Sequence, residues 1–329
     1  MYYFLGASLL LAFLLVLNIL ISLVASVVWR IFDKSTQSFS SQKRTQFIFL
    51  LRIFPLFLTI IFVLAFLIPA YLLFEPHSEN ETVTFKLAVP ALISIFGIIV
   101  AVYRVFGTWW KTRQLIKSWL HYSEPIFIEN ISLPVYQLRH PFPVIAVVGV
   151  FRPKLFIAEQ IFSTLSEAEL AAAIEHETGH LVTRDNLKRV LLRIGRDLLV
   201  FPMGKKLEKA WAENSESAAD EYAAQSNKET ALNLASALIK IAKMVPTNAT
   251  TTMPLGAFLI ENQKVDVTWR VRRLLEISKL TKPEISFNFK IIYIVCCIII
   301  SLITIVLATN YDFLFRIQSV LEKIVAILQ

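Results

Sequence analysis

Two histidines four residues apart, His176 and His180, enclose a glutamate, Glu177, in the segment His-Glu-Thr-Gly-His. On a helix, a spacing of four places both imidazole rings on one face, where both can bind the same metal ion. Glu177 follows the first histidine directly and can reach a water molecule at that metal. Zinc lowers the pKa of such a water to about 7, and a nearby carboxylate can then accept its proton. The segment therefore predicts a metal site that activates water.

A catalytic zinc site usually has three protein ligands, so a further ligand must be found elsewhere in the chain. The only two cysteines are adjacent in an apolar run and cannot build a zinc ribbon. The other histidines are poor candidates, because one falls in a loop between two apolar runs and two precede the motif, near a membrane exit and a strand turn. They are His77, His121 and His140. A carboxylate is therefore favoured as the third ligand.

Two carboxylate positions follow the motif. Asp185 comes five residues after His180, but a position near a helix end is equally suited to a cap or an ion pair. Glu216 and Asp220 are four apart on one face of a predicted helix, and the small residues between them allow a close helix contact. One of these two could bind the metal while the other hydrogen-bonds a ligand histidine. A solvated acidic face is the alternative, since Glu213 and Glu221 lie close by.

The residues before the histidine motif predict the helix that its spacing requires. Ser166-Glu-Ala-Glu169 matches a capping box, in which the serine and the glutamate each bind the other's backbone amide. The helix that this box begins, from residue 167 to about 182, carries both histidines. H-E-x-x-H on a helix is typical of zinc-dependent peptidases, with the glutamate as general base.

The composition indicates a membrane protein. Hydrophobic residues make up 56% of the 329 residues, against about 45–50% in soluble domains. Four apolar runs approach or exceed the ~20 residues that cross a bilayer as a helix. They predict a membrane region 1–110 with three transmembrane helices (3–29, 47–74, 87–108), a polar domain 111–288, a fourth transmembrane helix 289–309 and a short tail 310–329. A cleaved signal peptide is the alternative for the first run, but this run is longer than a signal-peptide core and lacks a preceding basic residue, which favours a transmembrane helix.

The charges beside these runs predict their orientation. Basic residues cluster between the first two runs, after the third and before the fourth, while the loop after the second run is acidic. The positive-inside rule places the N-terminus and the tail outside and the polar domain in the cytoplasm of a multi-pass inner- or plasma-membrane protein. Arg52 and Arg104 fall within the runs, near the same side, where they can snorkel. Because these flanks contain much of the net charge of +8, direct nucleic-acid binding is not expected.

The polar domain mixes strand and helix patterns. Strands are predicted at 125–128, 135–138, 144–148 and 155–157, and helices at about 210–226, 231–245 and 265–280. The apolar stretch 190–203 is too short and too charged to span a bilayer, and it fits either a membrane-surface helix or a core helix. The domain is therefore predicted to be α+β.

The segment His-Glu-Thr-Gly-His, followed by Glu-Ser-Ala-Ala-Asp at 216–220, resembles the paired motifs of membrane gluzincin peptidases. Two families share this pair: one contains the HtpX and CAAX prenyl proteases, the other the BlaR/MecR antibiotic-sensing antirepressors. The layout of three spans before the domain and one after it is similar to BlaR/MecR, as is Phe-Arg-Pro-Lys-Leu-Phe-Ile at 151–157. The resemblance implies that Glu216 is the third zinc ligand, Glu177 the general base and Asp220 a carboxylate behind a ligand.

The resemblance implies a multi-span α-helical membrane protein with an inserted α+β zincin-like metallopeptidase domain between the third and fourth transmembrane helices. Its expected activity is zinc-dependent endoproteolysis of a cytoplasmic or membrane-proximal protein, such as a transcriptional repressor or the chain itself. Only 20 residues follow position 309, without an S-x-x-K motif, so a penicillin-binding sensor domain is not expected and a separate sensor subunit is a candidate partner. The alternatives are an HtpX/CAAX-like quality-control or processing protease and a non-catalytic membrane signalling protein.

Overall fold

Three helices long and apolar enough to cross a membrane form the first part of the fold. The computed structural model describes residues 2–75, 83–129, 131–199, 204–225, 228–244, 263–279 and 289–328. These three helices are α1 (Tyr2–Phe32), the helix formed by α2 (Ser41–Phe62), a π-helical segment (Val63–Leu67) and α3 (Ile68–Phe74), and α4 (Phe85–His121). They confirm the first three predicted runs as apolar helices. Helix α4 continues without a break beyond the predicted third transmembrane helix, 87–108, to His121.

The last two helices, α11 (Phe289–Ala308) and α12 (Tyr311–Leu328), meet at a sharp bend. Within the described residues, Ile298–Ala308 and Tyr311–Ile327 pass the length and hydropathy criteria for a span only as a pair, bent by 78°. The fourth span therefore stays a prediction. The tail predicted to be short is helical, and its Leu314 packs beside Phe66 and Ala70 of the second apolar helix.

A four-stranded mixed sheet follows α4. Its strands are β1 (Ser123–Ile126), β2 (Val135–Leu138), β3 (Ile145–Val148) and β4 (Lys154–Ala158), in the order β1-β2-β4-β3. Only β2 and β4 run parallel. The predictions for β2, β3 and β4 are confirmed to within one residue at either end, whereas β1 lies two residues before its predicted range, 125–128. The two apolar strands β3 and β4 are buried, with Phe156 packed against Trp119 of α4 and Tyr136 of β2. Strand β3 forms one edge of the sheet.

Six helices complete the described part of the domain. They are α5 (Glu159–Thr164), α6 (Glu167–Val182), α7 (Asp185–Leu199), α8 (Lys205–Ala224), α9 (Lys228–Met244) and α10 (Gln263–Lys279). The predicted capping box begins α6: Glu169 N donates to Ser166 Oγ (3.3 Å), and Ser166 N donates to Glu169 Oε2 (2.8 Å). The other helix predictions fall on α8 to α10, which begin five, three and two residues before the predicted starts at 210, 231 and 265. The predicted last residues, 226, 245 and 280, lie outside the described residues.

The apolar stretch 190–203, which the sequence assigns either to a membrane-surface helix or to a core helix, is covered by α7 as far as Leu199. Residues 200–203 lie outside the described residues. Helix α7 packs against α2 and α4. Its Leu192 is buried beside Trp29 and Ile48 of the apolar helices. Arg104 of α4 pairs with Asp197 of α7 (2.6 Å) rather than only snorkelling. Helix α7 is thus a buried connection between the apolar helices and the domain.

Arg52 is the other cation within an apolar run, and it is buried. Its Nη2 donates to Glu208 Oε1 of α8 at 3.1 Å. Arg196 of α7 donates to the other carboxylate oxygen of Glu208 at 3.3 Å. The second apolar helix is therefore joined by charge to both α7 and α8, because a buried arginine requires a charged partner.

Candidate metal centre

Three side chains from two helices converge in the domain. His176 and His180 lie one turn apart on α6, and Glu216 lies on α8. One ligand atom from each falls within 4.8 Å of the others. Glu216 Oε2 lies 3.6 Å from His176 Nε2, and Oε1 lies 3.5 Å from His180 Nε2. The sequence-predicted set of His176, His180 and Glu216 is therefore brought together in space.

The spacing of these atoms fits a small tetrahedral cation. With metal–ligand bonds of about 2.0–2.1 Å, two ligands of a tetrahedral site lie about 3.3 Å apart. The observed nitrogen–oxygen separations of 3.5 and 3.6 Å are close to this value, and they join the two histidines to different oxygens of Glu216. With one atom taken from each residue, the three atoms lie within 4.8 Å of one another, and three ligands would leave a fourth tetrahedral position open. The group could hold a metal ion of this kind.

A carboxylate lies behind each histidine. Asp220 Oδ1 is 2.9 Å from His176 Nδ1, and Asp185 Oδ2 is 2.8 Å from His180 Nδ1. Each carboxylate favours a proton on Nδ1, so Nε2, the nitrogen on the side of Glu216, is the one that would bind a metal ion. Asp185 thus contacts a histidine from behind, and Asp220 lies where the sequence predicts such a carboxylate.

The connection between α6 and α7 brings Asp185 back to its histidine. Thr183 and Arg184 form a tight turn in which Arg184 adopts φ 54°, a left-handed conformation that is uncommon outside glycine. Thr183 also donates its hydroxyl to the carbonyl of Gly179 (3.0 Å). Helix α7 can therefore begin at Asp185, within hydrogen-bond distance of the preceding helix.

Close contact between α6 and α8 depends on Gly179, which lies between the two histidines. A Cβ atom at this position would lie 3.1 Å from Ala219 Cα and 3.2 Å from Tyr222 Cβ. Glycine on α6 and the small residues beside Asp220 on α8 let the two backbones approach closely. This approach brings Glu216 near both imidazoles.

Glu177 points from α6 towards the edge strand β3. Its carboxylate is buried, and Oε2 accepts a hydrogen bond from Val147 N at 3.2 Å. Asn186 of α7 donates to the carbonyls of Val147 and Gly149, both at 3.1 Å. Glu177, His176, His180 and Glu216 all line one cavity of about 370 Å³. The cavity therefore joins the candidate ligands to the sheet edge.

Arg270 on α10 is a part of the centre that sequence reasoning missed. Its guanidinium is buried and binds both oxygens of Asp220, at 2.6 and 2.9 Å. It also lies 3.4 Å from Glu216 Oε2 and within 3.3–3.4 Å of both ring nitrogens of His176. The available signal was a group of three arginines on the predicted helix 265–280. The sequence does not show which of them binds a carboxylate of the centre, because Asp220, the partner of Arg270, lies 50 residues away in the chain.

The pKa values of the centre reflect this concentration of charge. Burial lowers the pKa of His180, but Glu216 and Asp185 outweigh it and raise the pKa to about 10. Burial raises the pKa of Asp220, but Arg270 and His176 outweigh it and lower the pKa to about 2. The carboxylates thus stay ionised and attract either protons or a metal cation to the histidines.

Residues 146–259 match the model of peptidase family M48, over about a third of the chain. The matched range contains the two histidines, Glu177, Glu216 and Asp220, whereas Arg270 lies beyond it. No curated protein matches the chain at a significant level. The match supports an M48 metallopeptidase family and indicates a metallopeptidase. Together with the three apolar helices, it supports a membrane-associated metalloprotease. The finer resemblance to BlaR/MecR stays a prediction.

Proposed function

We propose that this chain is an integral-membrane zinc-dependent endopeptidase that cleaves a cytoplasmic or membrane-proximal protein in regulatory proteolysis. One observation carries the proposal: two imidazole nitrogens and a carboxylate oxygen converge within 4.8 Å, inside the range that matches a metallopeptidase family. Glu177 lies in the same cavity. The ionised carboxylates beside the two histidines attract a cation to this place, in addition to the positive charge that Arg270 already supplies.

In this proposal His176, His180 and Glu216 hold zinc. When bound, zinc polarises the scissile carbonyl and acidifies water. Asp220 and Asp185 hold the two imidazoles in the tautomer that presents Nε2. Glu177 accepts the proton of the attacking water and delivers it to the leaving amine, a role that typically contributes about 10²–10⁴-fold in rate.

We further propose that the substrate binds in an extended form along β3, near residues 144–150. An extended peptide adds to an exposed sheet edge by main-chain hydrogen bonds. Val147 N points away from β4 and donates to Glu177, so a substrate carbonyl that takes this amide would free the carboxylate for proton transfer. Val150 and the largely exposed Phe151 lie at the same end of the cavity and offer apolar contacts for a substrate side chain.

The zinc-peptidase proposal is tested with two variants and a control. Glu177→Gln should retain about one zinc per chain but lose cleavage of labelled casein, because it keeps the shape and removes the proton acceptor. Glu216→Ala should lose both zinc and cleavage. Glu213→Gln is the control, since this half-exposed residue lies one turn earlier on α8 and pairs with Lys209. Full zinc content and normal cleavage in Glu216→Ala would contradict the ligand assignment.

The proposed orientation places the N-terminus outside and the catalytic domain in the cytoplasm. A reporter fused after Ser163 should show cytoplasmic behaviour, and one fused after Ser78 should show the opposite. The reverse pattern would overturn both the orientation and the compartment of the substrate.

The regulatory role is tested by mapping new protein N-termini in cells with the wild-type chain and with Glu177→Gln. One or a few cleaved proteins, a repressor or this chain among them, would support regulatory proteolysis. Broad cleavage of damaged membrane proteins would instead support the quality-control alternative.

A further inference from the structure

A second arginine of the centre, Arg189 on α7, is not used by the roles proposed above. Its Nη2 lies 3.4 Å from Glu216 Oε1, and its guanidinium lies over the Trp211 ring, 5.8 Å from the centroid. Only 13% of the side chain is exposed, and the residue lines the 370 Å³ cavity. A cation is therefore held beside the candidate ligands, on the wall of the space that a substrate would enter.

The two arginines beside Glu216 occupy different positions. Arg270 contacts Oε2 from the buried side and is absent from the cavity wall formed by the described residues. Arg189 contacts Oε1, the oxygen that lies 3.5 Å from His180 Nε2, and faces the cavity. Arg270 already orients Glu216 and Asp220, so orienting the ligands does not require the second cation.

Glu177 and Arg189 approach the candidate ligands from different elements. Glu177 is held towards β3 by Val147, whereas Arg189 is held towards α8 by Glu216 and Trp211. A peptide bond lying in the cavity would thus have a proton acceptor towards the sheet edge and a hydrogen-bond donor towards α8. Peptide hydrolysis needs both, because the attack releases a proton and places negative charge on the carbonyl oxygen.

We infer that Arg189 is a catalytic residue that stabilises the negative charge developing on the scissile carbonyl oxygen. The inference rests on the proposed function. A water oxygen forms a bond to the carbonyl carbon, its proton passes to Glu177, and the carbonyl π electrons move onto oxygen. Arg189 donates a hydrogen bond to that oxygen without losing a proton. The carbon–nitrogen bond then breaks, and Glu177 returns the proton to the amine.

A purely structural role for Arg189 makes the opposite prediction about zinc. If Arg189 only positions Glu216, its removal should weaken zinc binding along with cleavage. If it acts on the carbonyl oxygen, zinc binding should be unchanged or tighter, because a guanidinium close to the ligands repels a divalent cation. Zinc affinity of the metal-free protein, measured against a chromophoric chelator, therefore separates the two roles without reference to activity.

The experiment compares the full-length wild type with Arg189→Gln, Arg189→Lys and the control Arg272→Gln. Arg272 lies on α10, is exposed and is not among the described residues that line the cavity, so its substitution removes the same charge without removing the donor beside Glu216. For casein cleavage, Arg189→Gln should lower kcat by about 10²–10³-fold, as loss of one charge-stabilising donor typically does. KM should change little. Arg189→Lys should recover part of the loss, and Arg272→Gln should resemble wild type.

Each other outcome overturns the inference. Normal kcat in Arg189→Gln would show that the guanidinium does not act in the reaction. Zinc binding weakened in proportion to activity would assign Arg189 to holding Glu216, and an equal loss in Arg272→Gln would indicate a general charge effect. Wild-type protein that binds zinc but cleaves nothing would overturn the proposed function itself, and the inference with it. An active wild type with an equally active Arg189→Gln would overturn the inference alone.

Discussion

Replacing Gly179 by alanine tests whether the contact between α6 and α8 sets the geometry of the metal centre. The added Cβ would lie 3.1 Å from Ala219 Cα and 3.2–3.3 Å from two atoms of Tyr222. These distances are a few tenths of an ångström below ordinary contact, and backbone on α8 cannot move aside like the end of a flexible side chain. The strain is relieved most simply by a small displacement of α8, which carries Glu216.

The size of the effect follows from linkage between this strain and zinc binding. Overpacking a closely packed contact costs about 1–3 kcal/mol. Zinc holds its ligands to within about 0.2 Å, so binding must draw α8 back against that strain. If the whole strain opposes binding, zinc affinity should fall by about 5- to 150-fold, at about 1.4 kcal/mol per tenfold change. Alanine also favours the helix by about 1 kcal/mol over glycine, so the metal-free variant should remain folded.

The assay is competition for zinc between the metal-free protein and a chromophoric chelator, with thermal unfolding in detergent as a second measurement. Gly107→Ala is the matched control, because it makes the same change on helix α4 where a Cβ meets nothing within 4 Å. The control should keep wild-type affinity. Wild-type affinity in Gly179→Ala would refute the argument that this contact positions Glu216.

Three further outcomes are expected. Glu208→Gln should destabilise the protein by about 3–5 kcal/mol and lower Tm in detergent, because the substitution leaves the buried Arg52 without a carboxylate partner. An unchanged Tm would show that this pair does not hold the helices together. Glu169→Gln should lower stability at pH 7 by at most about 3 kcal/mol. Burial alone would raise the pKa of Glu169, but Lys240 and the other hydrogen-bond donors outweigh burial and lower this pKa to about 2. The stabilisation is present above the ordinary pKa near 4.5 and is lost as the pH falls towards 2, so the Tm difference should narrow over that range; a constant difference would contradict the pKa argument. Asp220→Ala should reduce zinc affinity or cleavage by about 10–100-fold, and wild-type values for both would remove Asp220 from the centre.

The parts of the fold that sequence predicted well depend on local signals. The box Ser166–Glu169 contains its own hydrogen-bond partners, so the start of α6 can be read from four residues. The strand patterns and the three N-terminal apolar runs depend on neighbouring residues in the same way. The pairing of Glu216 with the two histidines was predicted only because residue type, spacing and a resemblance pointed to the same position.

The parts that sequence could not predict depend on contacts between distant elements. Nothing near Arg270 indicates that its guanidinium binds Asp220, because the choice among neighbouring arginines is made by the packing of α10 against α8. The same holds for Arg52, where an arginine in an apolar run fits a snorkelling side chain until Glu208 is known to meet it. The sequence likewise allows both a membrane-surface helix and a core helix at residues 190–203, because the choice depends on contacts with distant elements.

Helix α7 shows how these distant contacts act together. Asp185 at its first residue holds His180, and Asp197 near its other end holds Arg104 of an apolar helix. The two carboxylates lie on one helix about 18 Å apart, at 1.5 Å per residue, so their relative positions are fixed by the helix itself. A histidine of the metal centre is thereby placed relative to a helix long enough to span a membrane. The geometry of the centre consequently depends on how the apolar helices pack, although none of the three candidate ligands lies on them.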